Sequence, residues 1–424
     1  MKIPSSENYT VAMNGQPVDV FHTAKGDFAI LNFTGNAEID VRTKEYFDQV
    51  SVRPIRARYD FDNTDDQVTL TLPAFARVSI EPYELENPLF LLCAEYIEKP
   101  ANATHVFPRG SFTDIGILHL KTGDCVYIEQ GAVVMGSIEA DKADNITITG
   151  NGIMWNLPNV RTGNHQRAIL LKECNNVKIS GITLADQPCW NVVPTACNGV
   201  EIRDVNVLGV VMSTDAFDIV GSQNVTISRC FACVNDDCVA IKASYHNNSP
   251  GGRSVKNVRV SDCVFWKQPC GNALEIGYET SCHEMCDIVF ENIDIIHAER
   301  EGWQSGAVFS IHNGDRAHVH DVLFKNIHIE DAREKLIDIK ILSSKYSSDK
   351  WRGNVNDITF DGIYVLGTVL PPSIIRGYEP DGKGEEPHII RNIFVRNLYL
   401  EYEQITGQQD AHAIVEIASN VVFE

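Results

Sequence analysis

Asn224-Val-Thr-Ile-Ser-Arg-Cys-Phe-Ala232 and Asn257-Val-Arg-Val-Ser-Asp-Cys-Val-Phe265 are two copies of one pattern, set 33 residues apart. In each, Asn is followed by branched apolar residues alternating with polar ones, and a further apolar residue falls six positions after the Asn. A period of two is the signature of a strand with one buried face. Units of the same form start at Asn145, Asn176, Gly199, Asp287, Asp321, Asp357 and Asn392, with a fragment at Asn420. Successive starts lie 31, 23, 25, 33, 30, 34, 36, 35 and 28 residues apart. Self-similarity at this period with variable spacing reads as a solenoid, whose rungs share a core and whose insertions fall in loops. Short strands in rungs of this size suit a parallel β-helix. The L-x-x-L-x-L pattern of leucine-rich repeats is missing, and propeller blades need about 40–45 residues.

From Asn176 onward, the sixth residue after each start is Ile182, Val205, Cys230, Cys263, Ile293, Ile327, Ile363 and Leu398. These form an expected inward column, which makes Cys230 and Cys263 a stacked pair of core thiols. Residues 1–100 lack the repeat and carry longer strand patterns such as Val68–Leu72 and Arg77–Ile80, separated by turn signals. The expected organisation is a small antiparallel β-sandwich over 1–100, then the parallel β-helix over 101–424, whose first turns are expected from Asp124. The fold class is all-β.

The 36 Lys and Arg against 57 Asp and Glu give a net charge of −21, which argues against nucleic acid and anionic membranes as partners. No apolar run approaches the roughly 18 residues of a spanning helix. The amino terminus, MKIPSSENYTVAMNGQ, has no apolar signal segment, and twelve scattered cysteines read as reduced thiols. A cytoplasmic chain is expected, although a secreted one relieved of its signal would read the same. His283, within Cys282-His-Glu-Met-Cys286, superficially resembles a metal cluster, but no second Cys pair accompanies it, and no metal is expected. No P-loop, GxGxxG, HExxH or GxSxG motif occurs, and no cofactor is expected.

The strands preceding the repeat units also align. Ser213-Thr-Asp-Ala-Phe-Asp-Ile219, Asn235-Asp-Asp-Cys-Val-Ala-Ile241 and Cys270-Gly-Asn-Ala-Leu-Glu-Ile276 occupy consecutive rungs. With Ile219, Ile241 and Ile276 equivalent, Asp215 lies over Asp237 and Asn272 continues the column, with Asp236 beside them. Alternation places Asp218 and Glu275 outward. Carboxylates this close cannot all ionise comfortably, so at least one is expected to hold its proton. A protonated acid beside an ionised base is what glycosidic cleavage requires.

These motifs resemble the polygalacturonase family, glycoside hydrolase family 28. Thr214-Asp-x-x-Asp218, Asn235-Asp-Asp-Cys238 and Gly271-Asn-Ala-Leu-Glu-Ile-Gly277 correspond to its NTDGxD, DDC and GHGxSIG elements, and Gln187-Pro-Cys-Trp190 resembles its Pro-x-Trp. The resemblance spans roughly residues 105–424 and implies a right-handed parallel β-helix. It implies Asp236 as general acid and Asp215 with Asp237 as activators of water, in an inverting hydrolysis with carboxyls about 6.5–9.5 Å apart. The family's histidine falls on Asn272, and its uronate-binding Arg-Ile-Lys falls on Ser310-Ile311-His312, while Asp338-Ile-Lys340 lies one rung too late. Loss of that guanidinium and ammonium removes the charge-assisted contacts a uronate needs.

Asn235-Asp-Asp with Ile241-Lys242, Val264-Phe-Trp-Lys267, and the amino-terminal Arg77-Val-Ser-Ile-Glu81 and Asn87-Pro-Leu-Phe-Leu91 resemble the dextranase and isopullulanase family, glycoside hydrolase family 49. Both departures and this second resemblance imply a neutral oligo- or polysaccharide. Lys242 is expected to bind sugar hydroxyls or tune the aspartates, and Trp190 to stack on a sugar face. Asn272, Glu275, Asp218 and His312 are the other expected substrate contacts, with Tyr278 and Glu279 nearby. The loops Ser244–Lys256 and Lys340–Asn356, the latter with Tyr346 and Trp351, are candidates to close one end of the groove. Two alternatives stand beside the hydrolase: a β-helix polysaccharide lyase or epimerase using Ca2+, and a non-catalytic glycan-binding solenoid. The oligomeric state is not encoded in any of these features.

Overall fold

A computed structural model describes residues 3–156, 166–243, 252–300, 306–380 and 386–424. Twenty-nine strands from His105–Phe107 to Ala418–Phe423 form one continuous coil. Among the described residues the strands pair in parallel with a counterpart one rung later, as Asn198–Arg203 does with Gln223–Ser228 and that with Val255–Ser261, except Glu403–Ile405, which folds back antiparallel on Ile390–Leu400. This is the parallel β-helix the repeat demands. It begins earlier than the first expected turn, because His105–Phe107 already pairs with Cys125–Ile128.

The repeat unit has a local cause. All ten starting residues, Asn145 through Asn420, sit in the left-handed region with φ between 53° and 73°. Asn, Asp and Gly tolerate that conformation best, which is why those three types open every copy. A second left-handed corner follows five residues later, at positions such as Asp204, Asp262, Asn292, Asn326 and Asn397. The short strand between the corners therefore turns sharply at both ends. Arg229 occupies one such corner against its preference, clamped by both oxygens of Asp204 at 2.9 and 2.6 Å.

Starting residues also bond to one another along the coil. Asn176 Nδ2 donates to Asn145 Oδ1 at 2.6 Å, Asn257 to Asn224 at 2.7 Å, and Asn420 to Asn392 at 2.8 Å. Each such bond contributes about 1 kcal/mol net and fixes register, since a slip of one residue would break the whole ladder. Inside, the column from Ile182 to Leu398 is fully buried. Cys230 and Cys263 stack there as free thiols, with Cys230 N–H directed at Cys263 Sγ at 3.4 Å. Phe290, Phe324 and Phe360 form a parallel ring stack with centroids 5.0 and 4.7 Å apart.

Ahead of the coil, two five-stranded sheets face each other around Ile39, Leu70, Val78 and Leu91. One is wholly antiparallel. The other is mixed, because Leu89–Ala94 pairs in parallel with Asp27–Asn32. This unit packs on the outside of the coil through Phe90, whose ring meets Phe231 at 5.2 Å and Trp266 at 5.8 Å. Ion pairs also join the two units: Arg53 with Glu330 at 2.6 Å, Arg56 with Asp294 at 2.8 Å, and the buried His297 with Glu81 at 2.9 Å. The coil face against the sheets is thereby fixed, and the candidate site lies on another face.

Candidate active site

Strands Phe217–Val220, Val239–Lys242 and Leu274–Tyr278 stack in the expected register, with Ile219 on Ile241 and Ile241 on Ile276. Just before them, Ala216 N–H donates to the Asp237 carbonyl and Cys238 N–H to that of Asn272. Asp215, Asp237 and Asn272 are therefore one column, as the alignment required. Asp236 stands beside it, and one oxygen from each of Asp215, Asp236 and Asp237 lies within 4.8 Å of the others. They floor a cleft of about 380 Å³ lined also by Trp190, Met212, Lys242, Tyr278, Glu279 and Tyr346.

Each carboxylate is held differently. Asp237 Oδ1 accepts the Asn272 backbone N–H at 2.8 Å and its side-chain amide at 3.0 Å. Asn272 Oδ1 in turn accepts from Ser310 Oγ at 2.6 Å and Ala307 N–H at 3.0 Å, so this amide is spent on orienting Asp237. Asp236 Oδ2 accepts the Ser213 N–H at 3.1 Å, and its backbone is met by Gly271 at φ +74°. A Cβ on Gly271 would fall 2.5 Å from the Asp236 carbonyl carbon, so only glycine fits. Asp215 pairs with Lys242 Nζ through Oδ2 at 2.9 Å, while its buried Oδ1 accepts no hydrogen bond among the described residues.

Burial, reinforced by Asp236 and Asp215, holds the Asp237 carboxyl well above the usual carboxylate range. The raised Asp237 carboxyl favours its protonated form there, beside Asp236 on the cleft floor. Lys242 lies at the centre of the balance. Burial opposes its charge, but Asp215, Asp218, Glu279 and Asp237 more than offset this and hold the ammonium well above its ordinary value. Its Nζ also sits 3.9 Å over the Trp190 ring, so that one face of the indole is engaged by the cation.

Three expected substrate contacts are displaced by the structure. Asp218 is completely buried beneath Lys242, 2.8 Å from Nζ. Glu275 is completely buried beneath His312, whose Nδ1 lies 3.0 Å from both carboxylate oxygens. His312 is itself buried, with Nε2 3.3 Å from Asp338. None of the three lines the cleft. Alternation placed them on the outer side of the strand correctly, but that side is covered there by Lys242, Tyr278 and the next rung.

His312 instead supports the wall. The Tyr278 ring, which does line the cleft, stacks on the imidazole at 4.3 Å and 7°. Burial works against the charged imidazole, but Glu275 and Asp338 push its pKa up to about 9. Asp338, one rung above Ser310, is clamped by Lys335 at 2.6 Å and Lys340 at 2.8 Å. A histidine whose folded value is raised stabilises the fold fully below its ordinary 6.5, and that contribution fades as pH rises through about 9. The melting temperature of wild type should therefore exceed that of His312→Gln most at pH about 6, with the gap closing toward pH about 10. A gap independent of pH would contradict the charged state.

Asp338, Ser310, Gly271 and Met212 were not marked by the sequence as site residues. The serine and glycine are visible only once register is known. Of the two candidate loops, Ser244–Lys256 falls largely outside the described residues. Lys340–Asn356 brings Tyr346 to the cleft, pinned where Ser348 and Asp349 N–H donate to Asp315 at 2.6 and 2.8 Å, while Trp351 remains exposed.

A three-carboxylate cleft on the flank of a parallel β-helix defines the class of β-helix carbohydrate-active proteins. The model of glycosyl hydrolases family 28 matches residues 113–363, and the chain belongs to that family. A probable polygalacturonase of Vitis vinifera is 31% identical over 165 residues, 37% of this chain and 33% of its own length. One of Arabidopsis thaliana is 25% identical over 194 residues, 45% of this chain and 38% of its own. The chain spans about a third to just over half the length of the curated relatives it matches. Among solved structures, Dex49A from Penicillium minioluteum aligns with a TM-score of 0.72 at 14% identity, covering 96% of this chain and 91% of that one. A family 28 exopolygalacturonase of Yersinia enterocolitica aligns at 0.53 and 13% identity, covering 92% and 97%. These two alignments establish the shared fold.

Proposed function

We propose that this protein hydrolyses glycosidic bonds of a neutral oligo- or polysaccharide, with Asp236 as the general acid and Asp215 and Asp237 activating water. The observation that carries the reading is the convergence of the three carboxylates on the cleft floor, where burial and its neighbours favour the protonated form of Asp237. Asp236 is the most open of the three, and the shared proton reaches the glycosidic oxygen through it. Asp215 and Asp237 both line the cleft, where their carboxylates take up the proton of the attacking water.

Neutrality of the substrate rests on charge. The cleft lining carries Asp215, Asp236, Asp237 and Glu279 against Lys242 and Lys345, and no arginine among the described residues. Lys242 is already committed to Asp215 and Asp218. A uronate entering this cleft meets net negative charge without a bidentate partner.

Inversion of the anomeric centre is part of this proposal and is supported by the family resemblance rather than by spacing. The nearest oxygens are within 4.8 Å, tighter than the about 6.5–9.5 Å expected of an inverting pair. Proton NMR of the first product released from a neutral α-glucan oligosaccharide should show the opposite anomer to that of the cleaved bond. Initial retention would overturn the assignment of Asp215 and Asp237 as water activators.

A further inference from the structure

The outer face of the coil carries a second set of chemically active side chains, away from the cleft. On strand Glu284–Ala298, Glu284 and Cys286 are two residues apart and project from the same face. In the next rung His320 lies in register with Cys286. The Cys286 sulfur is 3.9 Å from Glu284 Oε2, and that oxygen is 3.5 Å from His320 Nε2. One ligand atom from each of the three lies within 4.8 Å of the others.

We propose that Glu284, Cys286 and His320 form a transition-metal site for which Zn2+ is the fitting ion. Bond lengths of about 2.3 Å to sulfur and 2.0–2.2 Å to nitrogen and oxygen give a tetrahedron whose edges are about 3.3–3.6 Å. The sulfur–carboxylate and carboxylate–imidazole separations reach those edges with shifts of a few tenths of an ångström, and the sulfur–imidazole edge closes from within 4.8 Å. The histidine is already oriented for the task. Asp321 Oδ2 lies 2.7 Å from His320 Nδ1, which fixes the proton there and turns the Nε2 lone pair toward the glutamate and the thiol. A carboxylate behind a ligating imidazole is the usual outer support of zinc sites.

The neighbours are compatible with this geometry. Lys256 pairs with the other glutamate oxygen, Oε1, leaving Oε2 for the metal. The His318 ring lies tilted against His320 with centroids 4.2 Å apart, its Nε2 engaged by Asn356, and shields one side. Coordination displaces the Cys286 thiol proton to solvent, with no change of oxidation state, and the fourth position is left to water. A mixed thiolate, imidazole and carboxylate set favours Zn2+ over Ca2+ or Mg2+. The ion would tie two successive rungs together and raise the melting temperature in proportion to its occupancy.

Zn2+ alone, titrated into the chelator-stripped full chain against a chromogenic chelator, should bind at one equivalent. Cys286→Ser and His320→Ala should each weaken that binding at least about tenfold, and Asp321→Asn by about 10–100-fold. Co2+ added to the wild-type chain should show thiolate-to-cobalt charge-transfer absorption that Cys286→Ser abolishes. Unchanged zinc affinity in both ligand variants would overturn the proposal. So would loss of the equivalent in Asp236→Asn instead, which would assign the ion to the cleft carboxylates. Absence of the charge-transfer band from the wild-type chain overturns it without recourse to any variant.

Discussion

Asp236→Asn should lower kcat on a neutral glycan by about 10²–10⁴-fold while leaving KM near its wild-type value. The side chain keeps its shape and still accepts the Ser213 N–H, but it can no longer deliver a proton to the leaving oxygen. That interaction exists only in the transition state, so kcat and kcat/KM fall together. The stability consequence is of opposite sign. One of three carboxylates crowded within 4.8 Å is neutralised, and the melting temperature should hold or rise. Steady-state kinetics beside a thermal melt checks both halves. A fall in activity accompanied by a fall in melting temperature would mean that Asp236 is structural.

Lys242→Met is expected to cost about 3–5 kcal/mol of stability, because it leaves Asp215 and Asp218 buried without their shared cation. The cost must depend on pH. Burial, then Asp215, already holds the Asp218 carboxyl well above the ordinary carboxylate value of 3.8 even with the ammonium in place. A carboxyl whose folded value is raised binds more protons in the folded state, so stability falls as pH rises from about 4 toward that value. Without Lys242 this slope steepens, and the variant should approach wild type in acid and diverge from it toward neutrality. Adding Asp218→Asn removes the stranded charge and should recover part of the loss, which a double-mutant cycle in urea would quantify. A pH-independent loss of under about 1 kcal/mol would show that the lysine does not hold the aspartates together.

The helix was legible because its corners impose chemistry on the sequence. A left-handed residue at the start of every unit selects Asn, Asp or Gly, and the short strand between corners selects strict alternation. From that register, the column of Asp215, Asp237 and Asn272 follows by counting. Depth does not follow. Alternation says which side of a strand a residue faces and nothing of what lies over it. Asp218 and Glu275 therefore read as groove residues, although Lys242 and His312 cover them. The role of His312 was hidden for the same reason, since Asp338 reaches it only by stacking from a rung 26 residues away in sequence. His320 was equally invisible beside Cys286, since the two stand 34 positions apart in sequence. The parallel pair in the amino-terminal sheets was missed because crossovers leave no local signal.

The proposal that this family 28 chain uses its aspartate floor on a neutral sugar is tested most directly by reducing-end release from a glycan panel. The panel sets neutral α-glucans, dextran among them, beside polygalacturonate, with Asp236→Asn run in parallel. The predicted result is release from at least one neutral glycan by wild type, little or none from polygalacturonate, and near-complete loss in the variant. Efficient release from polygalacturonate alone, or release that survives Asp236→Asn, would contradict it.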